Sequence, residues 1–433
     1  SDPDYGLPSE PATLPVSLAA GAASNSVLYA DYITADGRRI VYDESYEAAR
    51  NESPALAETL GGRTLTLAVI PGEGHPEEYA GRDVAGRAVL VRRGGISFGD
   101  KVKNAAEAGA AAVIVYEPNG TEAFVMQLGG EAAIPAVSVS ASDGAYLAAR
   151  DGVSVAISAE DGVFAAAGGG IASFSSWGPT SDLVLKPDLC AVGSSVLAAV
   201  PGGEYAVMDG TSMAAPQISG AAARYIASHR ETLGALEASE RAAFVRRHLV
   251  SAAEVLTTAD GVPLSPRAQG SGVLRTWEDG ILMTAADGGS LWNFGDGCTG
   301  VLRFGVRLTN ETDAARTVTL TVPLVTDETE LRDGVFYLTG ASKRVPAALS
   351  AAAAAGVTVT DAGIVCTLPA GETAEVSLTL TADAEYFSAL AAKFTNGFYL
   401  EGFVIARGED GQEAASLPFL AFAGRWADAP MLD

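Results

Sequence analysis

The sequence predicts a mixed fold: a partial α/β core, an α+β insert, and an all-β sandwich after them. Three observations predict it. A strand–helix–strand pattern runs through residues 88–116, a long small-residue helix is signalled after Ser212, and hydrophobic alternation of period two dominates beyond about residue 281. The 433 residues suffice for roughly three domains at about 150 residues each.

The elements follow in order. Residues 1–30 are Pro-rich and then apolar through 16–22, an extended loop feeding a buried strand. In 31–160, Ala88-Val89-Leu90-Val91 reads as a strand and Arg92-Arg93-Gly94-Gly95 as a turn. A helix follows over 98–108, with Phe98, Val102, Ala105 and Ala106 sharing one face. Gly109 ends it in the left-handed conformation, and Ala112-Val113-Ile114-Val115-Tyr116 is the second strand of a βαβ unit. Residues 161–280 hold the run Gly168-Gly169-Gly170, the helix after Ser212 and an amphipathic helix around 239–256. In 281–433, Val318, Leu320 and Val322 alternate with threonines, and Val376, Leu378 and Leu380 repeat the pattern of a sandwich strand. The Ala-rich run 347–357, broken by Ser350 and Gly356, reads as a surface helix or loop.

Composition narrows the partners. Lys and Arg number 28 against 53 acids, a net charge of −25, which repels phosphate backbones and anionic lipid. Nucleic acid and membrane surfaces are therefore poor partners. No run approaches the roughly 18 apolar residues of a spanning helix. The opening SDPDYGLPSE has neither basic region nor apolar core, so it is not a signal peptide. Cys190, Cys298 and Cys366 are widely spaced with no CxxC, and read as small buried hydrophobes. The acid clusters at 44–52 and 77–78 lack the ligand spacing of a calcium loop and read as solvated faces. No metal site and no cofactor are expected.

The chemistry concentrates in Asp209-Gly210-Thr211-Ser212-Met213-Ala214-Ala215-Pro216. Gly210 permits a sharp turn, which places Ser212 at the positive end of a helix with its own N–H aimed at whatever the hydroxyl attacks. Pro216 is expected near the first turn, where its missing N–H costs little. Taken alone, a GTS sequence is more often just the Ser-capped start of a buried helix.

GTSMAAPQISG resembles the nucleophile motif of the subtilisin-like serine proteases, the subtilases. Phe174-Ser175-Ser176-Trp177-Gly178-Pro179 resembles their FSSxGP loop, and Leu185-Lys186-Pro187-Asp188-Leu189 their KPD strand. Ala191-Val192-Gly193 departs from the usual Ala-Pro-Gly, which alters a loop and not the chemistry. Residues 84–140, ending in Ile134-Pro135-Ala136-Val137-Ser138, resemble a protease-associated domain. A nucleotide-binding βαβ with Glu117 on a ribose is disfavoured, since Gly94, Gly95 and Gly99 do not form GxGxxG. Ser265-Pro266-Arg267-Ala268-Gln269-Gly270-Ser271-Gly272 resembles the end of the catalytic domain. Phe398-Tyr399-Leu400-Glu401-Gly402-Phe403-Val404 and Leu417-Pro418-Phe419 are similar to the first fibronectin-type domain of the lactocepin-type cell-envelope proteinases, including the complement-cleaving peptidases.

The resemblance implies four parts: a core segment at 1–30, a protease-associated insert at 31–160, the nucleophile-bearing half of the catalytic core at 161–280, and a fibronectin-like sandwich at 281–433. It implies Ser212 as catalytic nucleophile, a loop of Gly210, Thr211 and Met213 around the oxyanion site, protein or peptide substrates, and an extracellular or wall-attached location. Calcium is common in the family, but no site for it is identified here.

The triad is incomplete. In subtilases the Asp and His precede the Ser, and His75 is the sole upstream histidine, in a GEGHPEE context unlike the family's HGT. His229 lies 17 residues further along the helix, roughly 25 Å from Ser212; His248 sits beside Arg246 and Arg247 on a later helix. Residues 11–22 resemble the family segment just after the asparagine of the oxyanion hole. The expectation is the C-terminal portion of a larger protease, inactive alone and in need of the missing N-terminal half of its catalytic domain. Apolar surface should then be exposed near 14–23 and 171–177, or covered by a second chain. The rival functions are a catalytically dead extracellular protein-binding scaffold, and a hydrolase using a lysine base; the latter lacks any lysine near Ser212.

Overall fold

A computed structural model describes residues 8–118, 123–159, 163–166, 170–275, 280–332 and 334–428. The chain divides into two compact units. One comprises Ser1–Ser24, Gly170–Ser194 and Met208–Asp433, and the other Asn25–Gly169 and Ser195–Val207.

The second unit is built on an eight-stranded sheet. Its strand order is Arg38–Val41, Tyr32–Ala35, Ser154–Ile157, Thr64–Val69, Ala88–Arg92, Ala112–Tyr116, Ala136–Val139, Asp43–Glu44. The four strands from Thr64–Val69 to Ala136–Val139 are parallel, as the βαβ reading requires. Alternation within wholly apolar strands splits the core across the two faces. Leu67, Leu90, Ile114 and Val137 join Leu147 on one side, while Val89, Val91, Val113 and Val115 meet Val102 and Ala105 on the other. The Phe98–Glu107 helix is capped by the Ser97 hydroxyl, which accepts from the Asp100 N–H at 3.1 Å, and ends before Gly109 at φ +92°. One member of its inward face is a surprise. Lys101 is fully buried, its ammonium donating to the carbonyls of Glu73 at 2.6 Å and Gly94 at 3.1 Å. Desolvation lowers its pKa.

Glu44 is not a solvated carboxylate. One oxygen accepts from the Leu56 N–H at 2.7 Å, the other is buried without a partner, and burial pushes the carboxyl up to about 8. The folded protein therefore holds a proton that the unfolded chain releases near 4.5, so stability falls as pH rises through that window. Glu44→Gln is expected to raise Tm relative to wild type more at pH 9 than at pH 4. Equal shifts at the two values, read by differential scanning fluorimetry, would contradict this.

In the first unit, Ala20–Ser24 lies parallel to Leu189–Val192 and antiparallel to Gly170–Ile171. Against this small sheet pack the Thr211–Ser228 and Ala238–Ser251 helices, through Leu189, Ala191, Ala214, Ile218, Tyr225, Val245 and Leu249. The expected strand over 16–22 begins only at Ala20. Val16 is 89% exposed and Leu14 41% exposed, since the chain enters through turns, while Leu18 packs half-buried against the core. The apolar exposure expected near 14–23 and 171–177 is thus partly present: Leu14, Val16 and Phe174 are exposed, but Ala19, Ala22, Ala23, Ala172 and Ser175 are buried. Larger exposure lies elsewhere. The Thr211–Ser228 helix buries only Ala214, Ile218 and Tyr225, leaving most of its small-residue surface open and Ile226 47% exposed.

Beyond residue 280 two sheets face one another across one core. One holds Ile281–Ala285, Val301–Asn310, Thr373–Ala382 and Ala347–Ala351; the other is centred on Phe398–Gly408 and Glu413–Ala423. Phe304 from the first sheet meets Phe419 from the second edge-on at 5.0 Å, with Trp292 and Phe294 each 5.3 Å away. This is a β-sandwich, with the predicted alternation at Val376, Leu378 and Leu380. The 347–357 reading is corrected. Ala347–Ala351 is a strand whose Leu349 stands opposite Leu380, so pairing with a buried neighbour overrides the helical preference of alanine.

All three cysteines are free thiols. Burial pushes Cys190 up to about 12 and Cys366 up to about 11, while Cys298 is only partly buried. Iodoacetamide at neutral pH should alkylate Cys298 first; faster modification of Cys190, seen by mass spectrometry, would contradict the packing.

Candidate active site

The Leu189–Val192 strand runs out at Gly193, where the site begins. A Cβ on Gly193 would lie 2.6 Å from that of Ala22 and 2.8 Å from the Gly210 carbonyl oxygen, so only glycine fits. The Gly193 carbonyl accepts from the Gly210 N–H at 2.7 Å, which fastens the turn before the helix to the end of the sheet. Gly210, at φ +146° and ψ +153°, holds a conformation closed to other residues and throws the chain into the Thr211–Ser228 helix. Ser212 is the second residue of that helix and is exposed. Its N–H is among those of a first turn that have no acceptor within the helix. Gln217 adds a brace: its side-chain amide donates to the Val192 carbonyl at 2.6 Å and to that of Met213 at 2.8 Å. Thr211 and Met213 flank the hydroxyl in the same turn.

Pro216 does not sit in the first turn. It lies inside the helix, five residues beyond Thr211, and removes the bond its N–H would have given the Ser212 carbonyl.

The two upstream motifs are structural supports. The Ser175 hydroxyl accepts from the Ala22 N–H at 2.9 Å, and Gly178 packs so closely that a Cβ would stand 2.1 Å from the Lys186 carbonyl oxygen. Lys186 and Asp188 form a buried pair at 2.8 Å. Asp188 also accepts from the Ala19 N–H at 2.7 Å and from Arg246, while Lys186 donates to the Ser17 carbonyl at 2.9 Å. The Lys-Pro-Asp motif thus pins the incoming chain at 15–19. Sequence reasoning assigned it no such role, although two opposite charges flanking a proline inside an apolar strand were the available signal.

Among the described residues nothing hydrogen-bonds the Ser212 hydroxyl. His229 Nδ1 lies 3.0 Å from both the Ser228 hydroxyl and the Tyr225 carbonyl. His248 is fully buried, one nitrogen 2.7 Å from the Phe244 carbonyl and the other 3.0 Å from Glu311, so its half-exposed reading is corrected. The packing of Tyr225 and Phe244 against its ring accounts for the burial. His75 belongs to the other unit, with Glu73 3.9 Å away.

Ser212 thus presents an exposed hydroxyl at the positive end of a helix, on a glycine turn fastened to the end of a parallel strand. The chain is similar to bacterial peptidases and proteinases. It is 28% identical over 446 residues to the C5a peptidase of Streptococcus pyogenes serotype M1, an alignment spanning 100% of this chain and 35% of that protein. It is 27% identical over 384 residues to the PII-type proteinase of Lactococcus lactis subsp. cremoris, over 81% of this chain and 19% of that one. The chain therefore spans about a third or less of the length of these curated relatives. The PA domain model matches residues 42–147, which decides against the nucleotide-binding alternative. Among solved structures, the psychrophilic subtilisin-like protease Apa1 of Pseudoalteromonas sp. AS-11 aligns at 20% identity over 60% of this chain and 50% of its own, with a TM-score of 0.28, too low to carry argument.

Proposed function

We propose that this chain is the nucleophile-bearing portion of a secreted or cell-envelope serine endopeptidase that cleaves protein substrates through an acyl-enzyme at Ser212. The observation that carries the reading is the Ser212 turn itself, open to solvent and braced by Gly193 and Gln217, its hydroxyl without a hydrogen bond among the described residues. The Ser212 hydroxyl would attack the scissile carbonyl while the Ser212 N–H donates to the developing oxyanion. Proton transfer would fall to a histidine, oriented by an aspartate, in a stretch of the catalytic domain outside this sequence, along with the asparagine that completes the oxyanion hole. That stretch would cover the open face of the Thr211–Ser228 helix. The sandwich would shape access for protein substrates. Alone, the chain would be inert, its serine an ordinary alcohol.

The test is to treat the full-length protein with a fluorophosphonate, digest it and map the adduct. The phosphonate should reside on the peptide containing Ser212. An unmodified Ser212 in a proteolytically active protein would refute the assignment.

A further inference from the structure

We propose that Arg267 is a positioning residue, by which the sandwich holds in place the strand that carries the nucleophile turn. The inference rests on Ser212 being the nucleophile, and it starts from a buried charge cluster in the first unit. Arg267 lies in the short Pro266–Gln269 helix and is 1% exposed. Its guanidinium grips Glu401 of the sandwich with two prongs, Nε to Oε2 at 2.9 Å and Nη2 to Oε1 at 3.0 Å. Nη2 also donates to Asp327 at 2.6 Å, and the Ser265 hydroxyl donates to Glu401 Oε1 at 2.7 Å. The guanidinium carbon sits over the Tyr399 ring, 4.0 Å from its centroid. Glu401 itself is fully buried. Planar, two-pronged pairing of this kind fixes direction as well as distance, which a lysine could not do.

Two arms lead from this clamp toward the site. The Arg267 carbonyl accepts from the Gly178 N–H at 2.8 Å, holding the loop whose Ser175 supports Ala22. The residues after the helix then lie along Leu189–Val192. Ser271 donates from both its N–H and its hydroxyl to the Asp188 carbonyl at 2.9 Å; the Cys190 N–H donates to Gly272 at 2.8 Å, and the Leu274 N–H to Cys190 at 2.6 Å. Gly270 is pressed so tightly on this strand that a Cβ would fall 2.5 Å from the Asp188 carbonyl carbon. The far end of the same strand supplies the carbonyls of Val192 and Gly193 that brace Gln217 and Gly210. None of Arg267, Glu401, Asp327 and Ser265 belongs to the Gly210–Met213 turn, so the clamp acts on where Ser212 stands. A displacement of about 1 Å at a reacting atom is worth on the order of a hundredfold in rate.

The test uses the full-length protein with Glu401→Gln and Arg267→Lys, which keep shape but remove one charge or the fork, and Ser212→Ala as reference. Kinetics are read well below each variant's Tm, and peptide-level hydrogen exchange is followed over 189–193 and 208–213. Expected are a fall in kcat of about tenfold or more with KM within about twofold, and faster exchange in both segments. A lowered Tm with kcat and exchange unchanged would make the cluster merely structural and overturn the proposal. If Ser212→Ala retains activity, the nucleophile assignment fails separately, and exchange alone decides whether the clamp positions the turn: unchanged exchange refutes it.

Discussion

Ser212→Ala in the full-length protein is expected to lower kcat by about 10⁶ while leaving KM nearly unchanged, as removal of the nucleophile does in subtilisin itself. The size follows from the site. Ser212 carries the exposed hydroxyl of the Gly210–Met213 turn, Thr211 being half-buried, and what survives its removal is the oxyanion donors and binding, about 10³ to 10⁴ over water. The substitution should not disturb the fold, because Ser212 is exposed and makes no side-chain hydrogen bond among the described residues. An unchanged Tm therefore accompanies the lost turnover. A fall of less than about a hundredfold would mean that another group attacks.

The second large effect is on stability. Asp188→Ala should destabilise this chain by about 3–5 kcal/mol, since it strips the counter-ion from a lysine that cannot reach water. Both side chains of the Lys186–Asp188 pair are 1% exposed, and the carboxylate also anchors the Ala19 N–H and Arg246. Asp188→Asn keeps an acceptor for the amide and should cost less. Urea unfolding measures both, and limited proteolysis adds a local readout, because segment 8–18 loses its anchor and should be cut first in the alanine variant. A cost under about 1 kcal/mol would show that Lys186 finds another partner.

What the sequence disclosed and what it withheld have physical reasons. The βαβ unit was legible as two wholly apolar strands around a helix with one apolar face, and the sandwich strands through a period-two alternation that puts Val376 and Leu378 on one face. The serine turn was legible because Gly210 and the small residues after it admit few alternatives. Long-range polar pairing was not legible. Nothing near Arg267 in the sequence indicates Glu401, 134 residues away, and nothing near Lys186 indicates the Ser17 carbonyl it grips. Buried Lys101 and Glu44 were hidden for the same reason: a charge is read as surface until its enclosing carbonyls and side chains are located. Ala347–Ala351 failed in the opposite sense, as local helix preference yielded to a partner strand.

The central claim is that the alcohol is present and its proton acceptor is not. Fluorophosphonate labelling rates, compared at equal concentration for this 433-residue chain and for the full-length protein, test it most directly. The account predicts an adduct on Ser212 in the longer protein and none on the shorter chain over the same time. Labelling of the two at the same rate would place a working base within these residues and contradict it.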